Sequence, residues 1–217
     1  MLNELIFLLQ TSAIASGALI ALRLGKEALV AFITLLCVLA NIFVLKQITL
    51  FGLEVTAADA FSVGVILSLH LLQEFFGKKI SKRAIWICFF TMAFYTITSQ
   101  VHLLFVPTTH DFSQTHFYAL LQFAPRIIFA SLTSYLFVLN LDRFLYGKLQ
   151  AIFGKRYIII WSFFLLAFIQ LVDTVCFSLL GLWGIVQHVS HVMLVSFAVK
   201  LIASLFVTPF FWLAQKV

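Results

Sequence analysis

The sequence predicts an all-α fold, a polytopic membrane helix bundle with seven transmembrane helices, its N-terminus outside and its C-terminus cytoplasmic; six helices are the alternative. Three observations carry this expectation. Hydrophobic residues make up 63% of the 217 positions and charged residues only 10%, far more apolar side chain than one globular core could hide. These residues gather into runs of 18 or more, about the length that crosses a bilayer as a helix. Basic residues then cluster in alternate connections between the runs, as membrane topology requires.

The seven runs cover residues 3–22, 28–45, 56–76, 84–106, 117–141, 157–182 and 185–214, and leave room for one integral membrane domain over residues 1–217. The first contains a small-residue patch, SAIASG, that resembles a signal-peptide cleavage region. It lacks a basic leader, carries Glu4 instead, and is read as a span. The third run is the least apolar, because it holds Asp59, His70 and Glu74. In the first, Ala13, Gly17 and Ala21 recur every fourth residue, a pattern that suits close helix packing or docking to a partner.

Eleven of the 14 Lys and Arg residues fall on one side: Arg23 and Lys26; Lys78, Lys79, Lys82 and Arg83; Arg143, Lys148, Lys155 and Arg156; and Lys216. The opposite side has Lys46, while Arg126 and Lys200 lie within runs. Positive loops stay cytoplasmic, which sets the orientation and favours an odd number of spans. The short basic clusters speak against nucleic acid as a partner. Cys37, Cys88 and Cys176 all lie in apolar runs without CxxC or metal-ligand spacing and read as small apolar residues. No cofactor and no structural metal are expected.

Ionisable groups inside spans are costly in lipid and mark cavities or partners. Arg126, Asp173 and Lys200 fall near one depth in the fifth, sixth and seventh runs. Gln170 and Asp173 share one helix face, as do Gln122 and Arg126, and Asn41 and Asn140 add further polar groups. Pro125 is expected to kink the fifth helix and open carbonyls to a cavity. One reading is a polar substrate cavity; the plainer one is an Arg126–Asp173 ion pair joining two helices. That pair alone would leave Lys200, Gln170, Gln122, Asn41 and Asn140 without a purpose.

His70 and Glu74 lie one turn apart on the third run, where an imidazole and a carboxylate could exchange protons. A Glu74 ion pair with Lys78 or Lys82 competes with that role. Asp59 is placed near the outer mouth as a hydrated carboxylate or helix cap. His188 and His191 begin the seventh run, and His102, His110 and His116 flank the outer loop PTTHDFSQTH; all read as interfacial residues rather than metal ligands. The sequence contains no GxxxxGK[ST] nucleotide loop and no HExxH metalloprotease motif.

Several segments taken together resemble a known family, the queuosine precursor transporters, also described as vitamin uptake transporters. They are ANIFVLKQITLFG at 40–52, EFFG at 74–77 with its basic tail to Arg83, Arg126 followed by FASLTSY, QLVDT at 170–174 with Phe177, Lys200, and Thr208 with Pro209. The chain departs from the family pattern at His70, where an aspartate is expected, and at Asn140, where a glutamine is expected. The resemblance implies uptake of 7-deazaguanine precursors of queuosine: 7-cyano-7-deazaguanine, its aminomethyl relative, or queuine.

Such a base presents N–H donors to a carboxylate and a carbonyl to a donor, and stacks on aromatic rings. Asp173 and Glu74 are the candidate carboxylates; Gln170, Arg126, Lys200, Asn41 and Gln122 are the candidate polar partners, with Glu74 and His70 as candidates for proton or sodium coupling. Asp173 is expected to read the base, because it shares the midplane with the donors. The alternatives are a substrate-binding subunit that borrows a partner ATPase and an intramembrane enzyme using Glu74, His70 or Asp173. The enzyme would need its reacting groups within reach of one point, whereas these lie at different depths.

Overall fold

The computed structural model describes the backbone of residues 2–215, and their side chains except at positions 143, 146, 147, 150, 151, 153–163 and 203–215. Arg143, Lys155, Arg156, Thr208, Pro209 and Lys216, all used in the sequence reading, lie outside the described side chains. In chain order the elements are α1 (Leu2–Leu24), α2 (Lys26–Phe43), β1 (Gln47–Leu50), β2 (Leu53–Thr56), α3 (Asp59–Phe76), α4 (Lys78–His102), α5 (Gln114–Leu121), α6 (Ala124–Phe177), a π-helical turn (Ser178–Leu182) and α7 (Val189–Gln215).

Glycine makes two of the sharp reversals. Gly25 (φ 109°) separates α1 from α2, and Gly77 (φ 91°) separates α3 from α4, both conformations that a Cβ would oppose. The amide of Gly77 closes α3 by donating to the Gln73 carbonyl at 3.0 Å. Lys26 and Lys78 follow directly, so the reversals coincide with two of the basic connections.

Helical backbone runs without interruption from Ala124 to Phe177, 54 residues, which as a straight rod would measure about 80 Å. Its two ends nevertheless meet, because Arg126 Nε donates to the Leu180 carbonyl at 2.9 Å. The chain therefore doubles back within α6, between the apolar segments Gln114–Asp142 and Phe164–Leu182. Among the described residues six segments are long and apolar enough to cross a membrane, and α7 contributes a further apolar stretch over Val189–Ile202. Each of the seven runs read in the sequence thus has its helix.

Pro125 does not kink the middle of a helix. It stands in the first turn of α6, where its missing N–H costs nothing, and the fifth span is instead divided at Gln122–Phe123 into α5 and α6. Gln100 of α4 covers the break by donating from Nε2 to the Leu121 carbonyl at 2.8 Å.

The third run, least apolar in sequence, is the most enclosed helix, and α1 is the least enclosed. The two facts have one cause. A helix surrounded by protein can carry polar groups that lipid would reject, and α3 packs against α1, α2, α4 and α7. At Gly64 the approach is so close that a Cβ would strike Ile14 of α1 and Leu36 of α2. Within α1 the packed positions are Ile14, Ala15, Ala18 and Ala21; Gly17 faces the Phe32 ring, and Ala13 is exposed. Leu5, Leu8, Leu9, Phe90 and Phe94 point outward, as lipid-facing residues do.

A two-stranded antiparallel hairpin, β1–β2, joins the second and third spans. Gln47 pairs with Thr56 and Leu50 with Leu53, and the turn uses Phe51 (φ 52°) and Gly52 (φ 78°), the positive pair of a tight hairpin turn. Leu50 and Val55 pack below it on Val195 of α7. Four contacts hold its rim: Asn3 Nδ2 to the Thr49 carbonyl at 2.8 Å, the Phe51 amide to Glu4 Oε1 at 3.0 Å, the Gln187 amide to Gln47 Oε1 at 3.2 Å, and His188 Nε2 to Glu54 Oε2 at 3.8 Å. On the loop before α5, the Ser113 hydroxyl and amide donate to Asp111 Oδ1 at 2.7 and 2.8 Å and hold that carboxyl below its ordinary pKa.

The basic-residue bias predicts which end faces the cytoplasm. A reporter active only in the cytoplasm is expected to work when fused after Lys148 and to fail after Thr109; a stably expressed silent fusion after Lys148 would reverse the orientation.

Candidate functional site

Where α3 meets α2, α4, both halves of α6 and α7, the bundle forms a half-open cavity of about 460 Å³, within the size range of small-molecule sites. Its apolar wall includes Ile66, Met92 and Ile169, and Phe89 and Tyr135 stand together with ring centroids 5.1 Å apart. The polar wall comes from Asn41 (α2), Asp59 and Ser62 (α3), Ser131 and Ser134 (first half of α6), Gln170, Asp173 and Thr174 (second half), and Ser196 and Lys200 (α7).

An ion pair crosses this cavity. Lys200 Nζ lies 2.9 Å from Asp173 Oδ2, with the two side chains 15% and 32% exposed, and also 3.4 Å from Thr174 Oγ1. Thr174 in turn donates to the Gln170 carbonyl at 2.9 Å. A charge-assisted contact of this length in a partly dry site is stronger than its exposed counterpart. The helical spacing explains the geometry: Gln170, Asp173 and Thr174 lie on one stripe of α6, and Ser196 and Lys200 lie one turn apart on α7.

One turn from Lys200, the Ser196 hydroxyl donates to Asp59 Oδ1 at 2.7 Å. Asp59 is 4% exposed, and its Oδ2 has no hydrogen-bond partner among the described residues. The same holds for Nδ2 of Asn41, also 4% exposed, and for Oγ of Ser134. The expectation of a hydrated Asp59 at the outer mouth is therefore corrected. The β hairpin packs on Val195 of α7, beside the Ser196 that binds Asp59, so the first residue of α3 meets protein instead of water.

Four of the residues singled out from sequence converge on the cavity: Asp173, Gln170, Lys200 and Asn41. The other four lie outside its wall. Arg126 does not pair with Asp173; its guanidinium donates to the carbonyls of Leu180 at 2.9 Å and Trp183 at 2.5 Å. The reason is the π-helical turn, whose end leaves carbonyls without intrahelical partners, and a cation at a helix C-terminus is favoured there by the helix dipole as well. Gln122 lies at the α5–α6 break. His70 and Glu74 are exposed at the far end of α3, and Glu74 forms no ion pair with Lys78 or Lys82 among the described residues. From Asp59 to Glu74 along the helix is about 22 Å.

Asn140, expected as an intramembrane polar group, is exposed and donates to the Leu136 carbonyl of its own helix. The histidines outside the cavity pack as rings: His188 on His191 at 4.9 Å, and His102 edge-on to Phe105 and Phe117. No group of three potential metal ligands occurs among the described residues.

Comparison with known proteins adds a family to this geometry. The family described as "Putative vitamin uptake transporter" matches residues 56–214, from the end of the hairpin through α7. A Bacillus subtilis protein named "Probable queuosine precursor transporter" is 30% identical over 195 residues, covering 88% of this chain and 85% of that one. No solved structure matches. With the matched region spanning all the cavity-lining helices except α2, and with the helices and polar interior of a multi-pass membrane protein, the chain belongs to this vitamin uptake transporter family.

Proposed function

We propose that the protein imports a 7-deazaguanine precursor of tRNA queuosine across the cell membrane, driven by an ion gradient, and that it performs no chemistry on its cargo. The observation that carries this reading is the cavity itself, apolar with aromatic rings on one part of its wall and with unpartnered polar atoms on another. A flat heteroaromatic base matches both, stacking on rings and supplying hydrogen bonds to buried groups that otherwise lack them. The name of the Bacillus subtilis relative supports the same cargo class. The residues proposed to contact it are those the cavity brings together: Asn41, Asp59, Gln170, Asp173 and Lys200, with Phe89 and Tyr135 as the stacking surface.

Expression of the chain in cells that cannot synthesise queuosine but can insert the base into tRNA is expected to restore modified tRNA when a labelled precursor is supplied. Restoration only with an added ATPase gene would favour a substrate-binding subunit. Chemical conversion of the precursor by the purified protein would favour an enzyme, and no uptake by a correctly inserted chain would refute transport of this cargo.

A further inference from the structure

We infer that Asp59 and Asn41 form the edge that reads the cargo. Asp59 accepts hydrogen bonds from the adjacent N–H donors of a planar base, and Asn41 donates to its ring carbonyl. This assignment rests on the transport reading above and goes beyond it by moving recognition away from Asp173, the carboxylate favoured by sequence.

The argument is one of satisfied and unsatisfied groups. Asp173 Oδ2 already holds the Lys200 ammonium at 2.9 Å, so a ligand would have to compete with a charge-assisted contact to use it. Asp59 has the opposite arrangement: one oxygen fixed by Ser196 at 2.7 Å, the other unpartnered and 96% of the residue withdrawn from solvent, since only 4% is exposed. A buried carboxylate oxygen without a donor is expensive, and so is the unpartnered amide of Asn41. One is an acceptor and the other a donor.

They also belong to the same level of the fold. The Ala57 amide donates to the Lys46 carbonyl at 2.8 Å, Val44 and Ala58 share one packed cluster, and the rings of Phe43 and Phe61 stack at 5.2 Å. The end of α2 and the start of α3 are therefore locked side by side, and both polar groups line the one cavity. A guanine-type edge, with a ring N–H and an amino group beside a carbonyl, offers the matching donors and acceptor. Ser196, through its bond to the other oxygen, acts as a positioning residue.

The test is direct binding to the purified full-length chain of 7-deazaguanine and of 7-deazahypoxanthine, which lacks the 2-amino group. Wild type is expected to prefer the former by about 10⁴-fold, as sites built on buried hydrogen bonds do. Asp59→Asn should bring that ratio down to about 10-fold or less, mainly through lost affinity for 7-deazaguanine. Asn41→Leu should weaken both bases alike and leave the ratio intact, because both carry the carbonyl. An unchanged ratio in Asp59→Asn, or a collapse in Asp173→Asn instead, would overturn the assignment alone. Binding of neither base to wild type would overturn the transport reading and the assignment with it. If Asp59→Asn does not insert, Ser196→Ala decides: the ratio is expected to fall about 10-fold, and an unchanged ratio refutes the role of Asp59.

Discussion

Lys200→Met is expected to abolish transport and to destabilise the bundle by about 3 kcal/mol, at the lower end of the cost of breaking a buried ion pair. Asp173 is 32% exposed and Lys200 15%, so solvent moderates the charge left behind. Asp173→Asn should behave similarly, with an ammonium in the cavity now facing a neutral amide. The combined Lys200→Met/Asp173→Asn variant should regain much of the lost stability, since replacing both members of such a pair is often neutral. It should not regain transport, because both groups line the cavity. Thermal unfolding of the four proteins in one detergent measures the coupling. Additive losses, with no recovery in the double variant, would show that the 2.9 Å contact contributes no stability.

Arg126→Ala should cost about 2 kcal/mol by a different route. Its two carbonyl partners, Leu180 and Trp183, are three residues apart at the end of the π-helical turn. A guanidinium reaches both with separate N–H groups held in one plane. A lysine offers a compact ammonium in place of that fork, so Arg126→Lys should restore little. The stabilisation of charged hydrogen bonds is about 1.5–3 kcal/mol each, reduced here because the side chain is exposed. Asp173→Asn introduced into Arg126→Ala should add its effect in full, for the two residues share no contact. Wild-type stability in Arg126→Lys, or strong coupling between Arg126 and Asp173, would overturn this account.

The spans were readable because lipid imposes a single requirement, a long apolar run, that composition alone reveals. The cavity was half readable for the same reason: Asp173 and Lys200 stand out as the charged residues of long apolar runs, and Gln170 lies one turn from Asp173. Asp59 was misjudged because its position in the run is terminal, and a terminal carboxylate is ordinarily wet. The contact of α3 with α7 and the hairpin packed on it change that, and the strands QITL and LEVT are four residues each, too short to show a clear alternation beside long helices. The hairpin turn, Phe-Gly, is also outside the common Asn-Gly and Asp-Gly pairs. The carbonyl partners of Arg126 were not foreseen because sequence shows side chains as candidates for pairing, whereas the carbonyls freed by a π-helical turn leave no mark in it.

The ties of the hairpin and of the cavity also imply an order of assembly during synthesis. Asn3 and Glu4 meet Thr49 and Phe51 across separations of 46 and 47 residues, contacts available as soon as the second helix has left the ribosome. The Gln47–Gln187 tie spans 140 residues and Asp59–Ser196 spans 137, so the first waits for the segment just before α7 and the second for α7 itself. Lys200 comes later still. Asp59 is thus without its partner through most of translation, and Asp173 without Lys200 for the 27 residues that separate them; burying either early would be unfavourable. Closure of the charged interior belongs to the last helix, and a nascent chain stopped before Ser196 should be one whose third and sixth helices remain loosely joined, open to water and to quality-control proteases, however well each is inserted.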